Sequence, residues 1–178
     1  FRDAANPNKF YFVGKFGTSN FKLIETLGNN TWQPQWGLKA GLVANSDGGD
    51  PEPFTTSSAG YYTFSMDIST KAYSLASYTG TMTDYSTIGM IGDFNGWGGD
   101  LALEQSTYDS HQWSLKDITI TTTGKFKFRA DGAWTVNWGA GTELSGQGTQ
   151  GGADIPLTAG TYDIYFNDID GRYQFIKK

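Results

Sequence analysis

Gly60-Tyr61-Tyr62-Thr63-Phe64-Ser65-Met66-Asp67 and Gly160-Thr161-Tyr162-Asp163-Ile164-Tyr165-Phe166-Asn167 align without a gap, one hundred residues apart. The match continues at the same offset from Tyr73-Ser74-Leu75 to Tyr173-Gln174-Phe175. In both copies the positions 62/162, 64/164 and 66/166 are apolar and form one alternating face. That is the period of two by which a strand sends successive side chains to opposite sides. Each copy therefore predicts two strands joined by a turn, at Ile68 to Lys71 and at Ile169 to Gly171, a closing hairpin for one domain. A register held constant over this length predicts two tandem copies of one β-domain.

The length of 178 residues accommodates two such copies. At about 80 to 95 residues each, both can bury a core of their own. The expected division is residues 1–80, a diverged or shortened first repeat, and residues 81–178, the second. The polar segment Thr79-Gly80-Thr81-Met82-Thr83-Asp84 lies between them, and Ile88 to Gly92 mirrors the opening strand Phe10 to Gly14. Thr, Tyr, Phe and Gly dominate, there are 5 prolines, and no long segment places apolar residues at helical spacing. The fold class is thus all-β, built of short antiparallel strands joined by turns such as Gly28-Asn29-Asn30. The loop Asn45 to Pro51 clusters aspartates but lacks the spacing of a calcium loop.

Charge and residue inventory exclude several functions. A net charge of −5 with no basic run argues against nucleic acid or an anionic membrane surface as partner. No apolar stretch is long enough to span a bilayer. The absence of cysteine rules out disulfides and thiolate metal sites, and a single histidine, His111, rules out a multi-histidine centre. His111 is expected in a solvent-facing loop before the core strand of Trp113 and Leu115. Neither a metal nor a cofactor is implied. The chain opens abruptly at Phe1-Arg2-Asp3, which reads as a processed or trimmed start.

One segment concentrates flat rings and basic donors. In Phe126-Lys127-Phe128-Arg129, Phe126 and Phe128 face one way and Lys127 and Arg129 the other. Asp131-Gly132 is a turn dipeptide. Trp134 and Trp138 follow four residues apart, on one side if the segment is extended, with Asn137 before the second ring. A paler copy exists in Phe21-Lys22-Leu23 and Trp32 to Gly37. Paired tryptophans on strands also serve as core, so composition alone leaves core and ligand platform both open.

Gly92-Asp93-Phe94-Asn95-Gly96-Trp97, followed by Phe126-Lys127-Phe128 and Asp131-Gly132-Ala133-Trp134, resembles the glycogen- and starch-binding modules. The tandem arrangement, Trp134-Thr135-Val136-Asn137-Trp138-Gly139 and the late Gly151-Gly152-Ala153-Asp154-Ile155 resemble more narrowly the SusE/SusF-type surface starch-binding lipoproteins of Bacteroidetes. The resemblance covers the second repeat and, more weakly, the first. It implies two tandem immunoglobulin-like antiparallel β-sandwich domains and non-catalytic capture of an oligo- or polysaccharide, with α-glucan favoured. It also implies a cell-surface setting, an N-terminal lipid anchor outside this chain, and other outer-membrane glycan-uptake proteins as further partners. Carried over by position, the implied ligand residues are Trp97, Lys127 and Trp134. Arg129 and Trp138 join them as neighbours on the same strand and ring pair. Asp154 stands where the family often has asparagine. Lys22, Trp32 and Trp36 are the weaker first-repeat candidates, with no counterpart there of Trp97 or of the Trp113 strand.

Two other classes compete. An enzyme needs paired acids, an activated nucleophile or a metal cluster, and no spacing here marks one, so no catalytic residue is expected. The main alternative is a structural or protein-docking β-sandwich module without a sugar site of its own, because aromatic patches also serve protein interfaces.

Overall fold

A computed structural model describes residues 1–25 and 32–178. The predicted turn at Gly28-Asn29-Asn30 lies outside the described residues. Apart from two short 3-10 turns, every regular element among those residues is a β-strand, and all pairings are antiparallel. The chain forms two compact units, Asn6–Thr79 and Gly80–Lys178, the latter joined by Phe1–Ala5. Those first five residues were expected with the first repeat. They pack with the second unit instead, where the Arg2 backbone N–H donates to the Gln174 side-chain carbonyl at 3.0 Å.

The first unit contains β1 (Lys9–Phe16), β2 (Leu23–Ile24), β3 (Gln35–Lys39), β4 (Leu42–Asn45), β5 (Gly60–Asp67) and β6 (Ala72–Ser77). They make two three-stranded sheets, ordered β1-β5-β6 and β2-β3-β4. Val43, Phe54, Phe64 and Met66 are buried between them, with Phe10, Phe12, Phe21, Leu23 and Trp36 packed partly buried around that nucleus. The turn after β5 is pinned by Asp67, whose Oδ1 accepts from the Ser69 N–H, the Ser69 hydroxyl and the Thr70 N–H. These bonds, the Ser69 hydroxyl's first, hold the carboxyl below the usual carboxylate range.

The second unit contains β7 (Ile88–Gly92), β8 (Leu101–Ala102), β9 (Glu104–Gln105), β10 (Gln112–Ile120), β11 (Gly124–Ala130), β12 (Asn137–Gly139), β13 (Ser145–Gln147), β14 (Thr149–Gln150), β15 (Ile155–Leu157), β16 (Gly160–Asn167) and β17 (Arg172–Lys177). One sheet runs β13-β17-β16-β10-β9 and the other β14-β12-β11-β7-β8, with β15 also paired to β11. Face-to-face packing of the two buries Phe126, Phe128, Ile164, Phe166 and Tyr173 completely. Phe128 of one sheet stacks on Phe166 of the other at 4.3 Å between ring centroids, the middle of a β-sandwich.

Strand pairing relates the two units differently from the sequence. β1 pairs β5 with Phe10 opposite Met66 and Phe12 opposite Phe64. β10 pairs β16 with Trp113 opposite Phe166 and Leu115 opposite Ile164. At the fixed offset of one hundred, Phe10 therefore occupies the place of Trp113, and β1 is the counterpart of β10. The expected match of Phe10–Gly14 to Ile88–Gly92 is corrected accordingly: the first unit has the Trp113 strand, and none of its described residues forms an equivalent of β7. Short apolar strands look alike in sequence, and only pairing tells them apart.

His111 is the other correction. It is 3% exposed, not solvent-facing, because its Nδ1 lies 2.7 Å from Asp168 Oδ1. The Trp113 indole donates to Asp168 Oδ2, also at 2.7 Å. Burial pushes the Asp168 carboxyl up to about 6, against the opposing pull of the Trp113 hydrogen bond and of His111.

Candidate functional site

Alternation along β11 sends Phe126 and Phe128 into the core and Lys127 and Arg129 to the outer face of the sheet. The neighbouring β7 places Ile91 opposite Lys127 and Gly89 opposite Arg129, so Ile91 shares that outer face. Ile91 is nonetheless buried and lies outside the sandwich's core cluster. An apolar floor thus exists on the side away from the core.

Two loops overhang this face. In the first, Asn95 Oδ1 accepts the Gly92 N–H at 3.0 Å and Asn95 Nδ2 donates to the Gly99 carbonyl at 2.6 Å. Gly96 and Trp97 then adopt positive φ, 62° and 58°. For a ring as bulky as Trp97 that backbone is an outlier costing roughly 1–3 kcal/mol, held only by surrounding bonds. The bonds are present. The Trp97 N–H donates to the Gly92 carbonyl at 2.9 Å and its indole Nε1 donates to Asp93 Oδ1 at 2.7 Å. Asp93 Oδ2 accepts the Lys125 N–H at 2.9 Å. These donors, the indole first, hold the Asp93 carboxyl below its ordinary range.

The second loop is the Asp131-Gly132 turn after β11, with φ of 52° and 65°. Asp131 Oδ1 anchors it by accepting the Ser86 and Thr87 N–H groups, each at 2.9 Å. Trp134 projects from this loop, 47% exposed. Its ring centroid lies 6.0 Å from that of Trp97, with the planes inclined by 32°. The Arg129 guanidinium sits 4.8 Å over the Trp134 ring, only 9% exposed, while its Nε donates to Asp100 Oδ1 at 2.7 Å. A buried cation against one face of Trp134 leaves the other face to solvent.

Asn137 ties the parts together. Its Oδ1 accepts from Lys127 Nζ at 3.2 Å and its Nδ2 donates to the Trp134 carbonyl at 2.9 Å. An ammonium has three donors, and the half-buried Lys127 keeps others for a ligand. The structure thus brings together Trp97, Trp134, Arg129 and Lys127, with Arg129 supporting a ring from beneath. It adds Asp93, Asn95, Asp100 and Asn137, which were not nominated. The Asp93-to-Trp97 spacing inside one tight turn was the available signal for the first of these.

Asp154 precedes β15 and its carboxylate lies 3.5 Å from Lys125 Nζ, an ion pair. Trp138 does not share a side with Trp134. It is 8% exposed, in the core, edge-on to Phe166 at 5.1 Å and to Tyr85 at 5.6 Å. Trp134 sits in a turn, so strand alternation does not run from residue 134 to residue 138.

In the first unit Leu23 pairs Trp36 and Ile24 pairs Gln35, as Phe128 pairs Trp138 and Arg129 pairs Asn137. Trp36 is therefore the counterpart of the core ring. It is half-buried, with its indole donating to Glu25 at 2.7 Å. Lys22 is held by Asp50 at 2.7 Å, which also accepts from Gln35 Nε2 at 2.9 Å. Trp32, 71% exposed, stands four residues before Trp36 as Trp134 does before Trp138. Ile24 replaces Arg129, and among the described residues of this unit there is no counterpart of β7, Trp97, Asp93 or Asp100.

No protein-family model and no curated protein matches the chain. Among solved structures it is similar to "Crystal Structure of SusF from Bacteroides thetaiotaomicron", at 18% sequence identity and a TM-score of 0.44. The match covers 99% of this chain and 44% of that one, so the chain spans less than half of that structure's length.

Proposed function

We propose that the outer face formed by β7, β11 and the two loops of the second unit binds carbohydrate without catalysis, with an α-glucan as its ligand. The observation that carries this is the pair of rings, Trp97 and Trp134, side by side at 6.0 Å and inclined by 32°. The apolar C–H face of a pyranose stacks on an electron-rich indole. Consecutive sugars of a curved α-glucan present inclined faces, whereas those of a flat β-glucan present coplanar ones. Lys127 is placed to donate to hydroxyls at the sugar edge, and charged donors make the stronger bonds. The sequence motif from Gly92 to Trp97, joined to Lys127 and Trp134, supports the same reading.

Among the described residues the first unit shows no counterpart of the Trp97–Trp134 ring pair, so binding is assigned to the second. Cell-surface placement, a lipid anchor and partnership with other glycan-uptake proteins belong to the same proposal and rest on the sequence resemblance. No helix among the described residues is long and apolar enough to cross a membrane.

Calorimetric titration of the chain and of Trp97→Ala with maltoheptaose and cellohexaose tests the proposal. The expected result is saturable binding of maltoheptaose in preference to cellohexaose, lost in the variant. Preference for cellohexaose would refute the inference from ring inclination. Binding of neither would remove the glucan reading and favour a protein-docking face.

A further inference from the structure

In the second unit β11 is an interior strand. Phe126, Phe128 and Arg129 pair on one side with Ile155, Trp138 and Asn137, and Phe126 to Ala130 pair on the other side with β7. The first unit reproduces the former set. Phe21 pairs Phe54, Leu23 and Ile24 pair Trp36 and Gln35, and Glu25 donates to the Pro34 carbonyl as Ala130 does to Val136. Nothing among the described residues pairs with the second side, so β2 ends its sheet. The Phe21 and Glu25 N–H groups point to the paired side. Alternation in an antiparallel ladder therefore aims those of Lys22 and Ile24 at the open edge.

The core registers the difference. Phe126 and Phe128 are fully buried, whereas their counterparts Phe21 and Leu23 are only partly covered. In the second unit the missing cover is Ile88 and Met90, both fully buried. Such an edge, unpaired and bordered by apolar side chains, accepts a strand. Phe1–Ala5 do not supply it, since they pack with the second unit, and β7 is already engaged with β11.

We propose that the open edge of β2 is a docking site for an extended polypeptide segment of the β7 kind, supplied from outside residues 1–178, which adds antiparallel to β2 and completes the first sandwich. The second unit states what that segment must look like. Large apolar residues belong at the positions of Ile88 and Met90. Glycine belongs opposite Phe21, because a Cβ at Gly92 would collide with the backbone and Cβ of Phe126 and the Lys125 carbonyl.

The test uses the whole chain, isotope-labelled, titrated with a peptide of the Ser86 to Asp93 sequence, Ser-Thr-Ile-Gly-Met-Ile-Gly-Asp, and followed by amide hydrogen exchange. Saturable slowing of exchange at Lys22 and Ile24 by about tenfold or more is expected. The same peptide carrying Gly92→Val should give none. Unchanged exchange at both amides overturns the proposal. So does equal protection by the valine peptide, which would mark non-specific apolar adhesion. Protection that rises with protein concentration alone would assign the edge to a second copy of the chain and overturn the stated occupant.

Discussion

Trp134 and Trp138 are the same residue type four positions apart, and the structure gives their removal opposite consequences. Trp138 is in the core, packed on Phe166 and Tyr85, so Trp138→Ala leaves a cavity and costs about 3–5 kcal/mol. For a unit of roughly 100 residues that lowers the Tm by more than about 12 °C. Trp134 is 47% exposed and its ring contacts are Trp97 and the Arg129 guanidinium, the latter worth about 1 kcal/mol, between the exposed and desolvated limits, for a buried cation under a half-exposed ring. Trp134→Ala should therefore shift the Tm by only a few degrees. Its cost falls on the ligand: losing one stacked ring weakens binding by about 1.4 kcal/mol or more, a factor of ten. Thermal unfolding by circular dichroism and titration with maltoheptaose, run on both variants, separate the effects. A Trp134→Ala protein as unstable as Trp138→Ala, or a normally stable Trp138→Ala protein that has lost binding, would refute the assignment of the two rings.

Asn137→Ala unpairs both Lys127 and the Trp134 carbonyl. It should cost about 1–3 kcal/mol of stability and weaken maltoheptaose binding severalfold, both readable in the same two assays. Trp32→Ala should leave maltoheptaose affinity unchanged. Asp93 has a depressed carboxyl pKa, so its grip on the Trp97 indole is complete above about pH 3.9 and is lost only as pH falls through the lowered value. The Trp97 Nε1–H resonance, followed by NMR against pH, should hold its position through the range where a free aspartate titrates. Asp168 behaves in the opposite sense. With its carboxyl raised to about 6, the folded state holds this proton more tightly than the unfolded chain. Its contribution to stability therefore declines as pH rises from about 4 towards 6. Denaturant unfolding at pH 4, 5, 6 and 7 should show that decline, and Asp168→Asn should remove it.

The closing hairpins were legible because their pattern is local. Tyr62, Phe64 and Met66, like Tyr162, Ile164 and Phe166, alternate without interruption, and alternation is a property of the strand itself. The Phe126-to-Arg129 strand was legible for the same reason, and with it the outward face of Lys127 and Arg129. What pairing decides was not legible. Phe10–Gly14 matches β7 in composition but β10 in register, and register depends on residues far away in the chain. His111 illustrates the same limit. Its neighbours in sequence are polar, and the group that draws it inward, Asp168, comes 57 residues later. Within the site, the ring nominated by motif, Trp134, is exposed, whereas Trp138, nominated by spacing, is core. A motif fixes residues relative to a turn, but spacing assumes a conformation that the turn breaks.

Ile91 has a consequence for how this chain can change over time. It is buried on the side of the sheet opposite the core, so the two loops carrying Trp97 and Trp134 rest on a small apolar floor of their own, with strands β7 and β11 as a partition. Residues on one side of that partition form the sandwich core, and residues on the other shape the face proposed to hold a ligand. Substitutions across it share few direct partners, and effects at separated sites combine nearly additively. Lys127, Trp97 and Trp134 can thus change while Phe126 and Phe128 stay as they are. The outer face is free to change without endangering the sandwich that carries it.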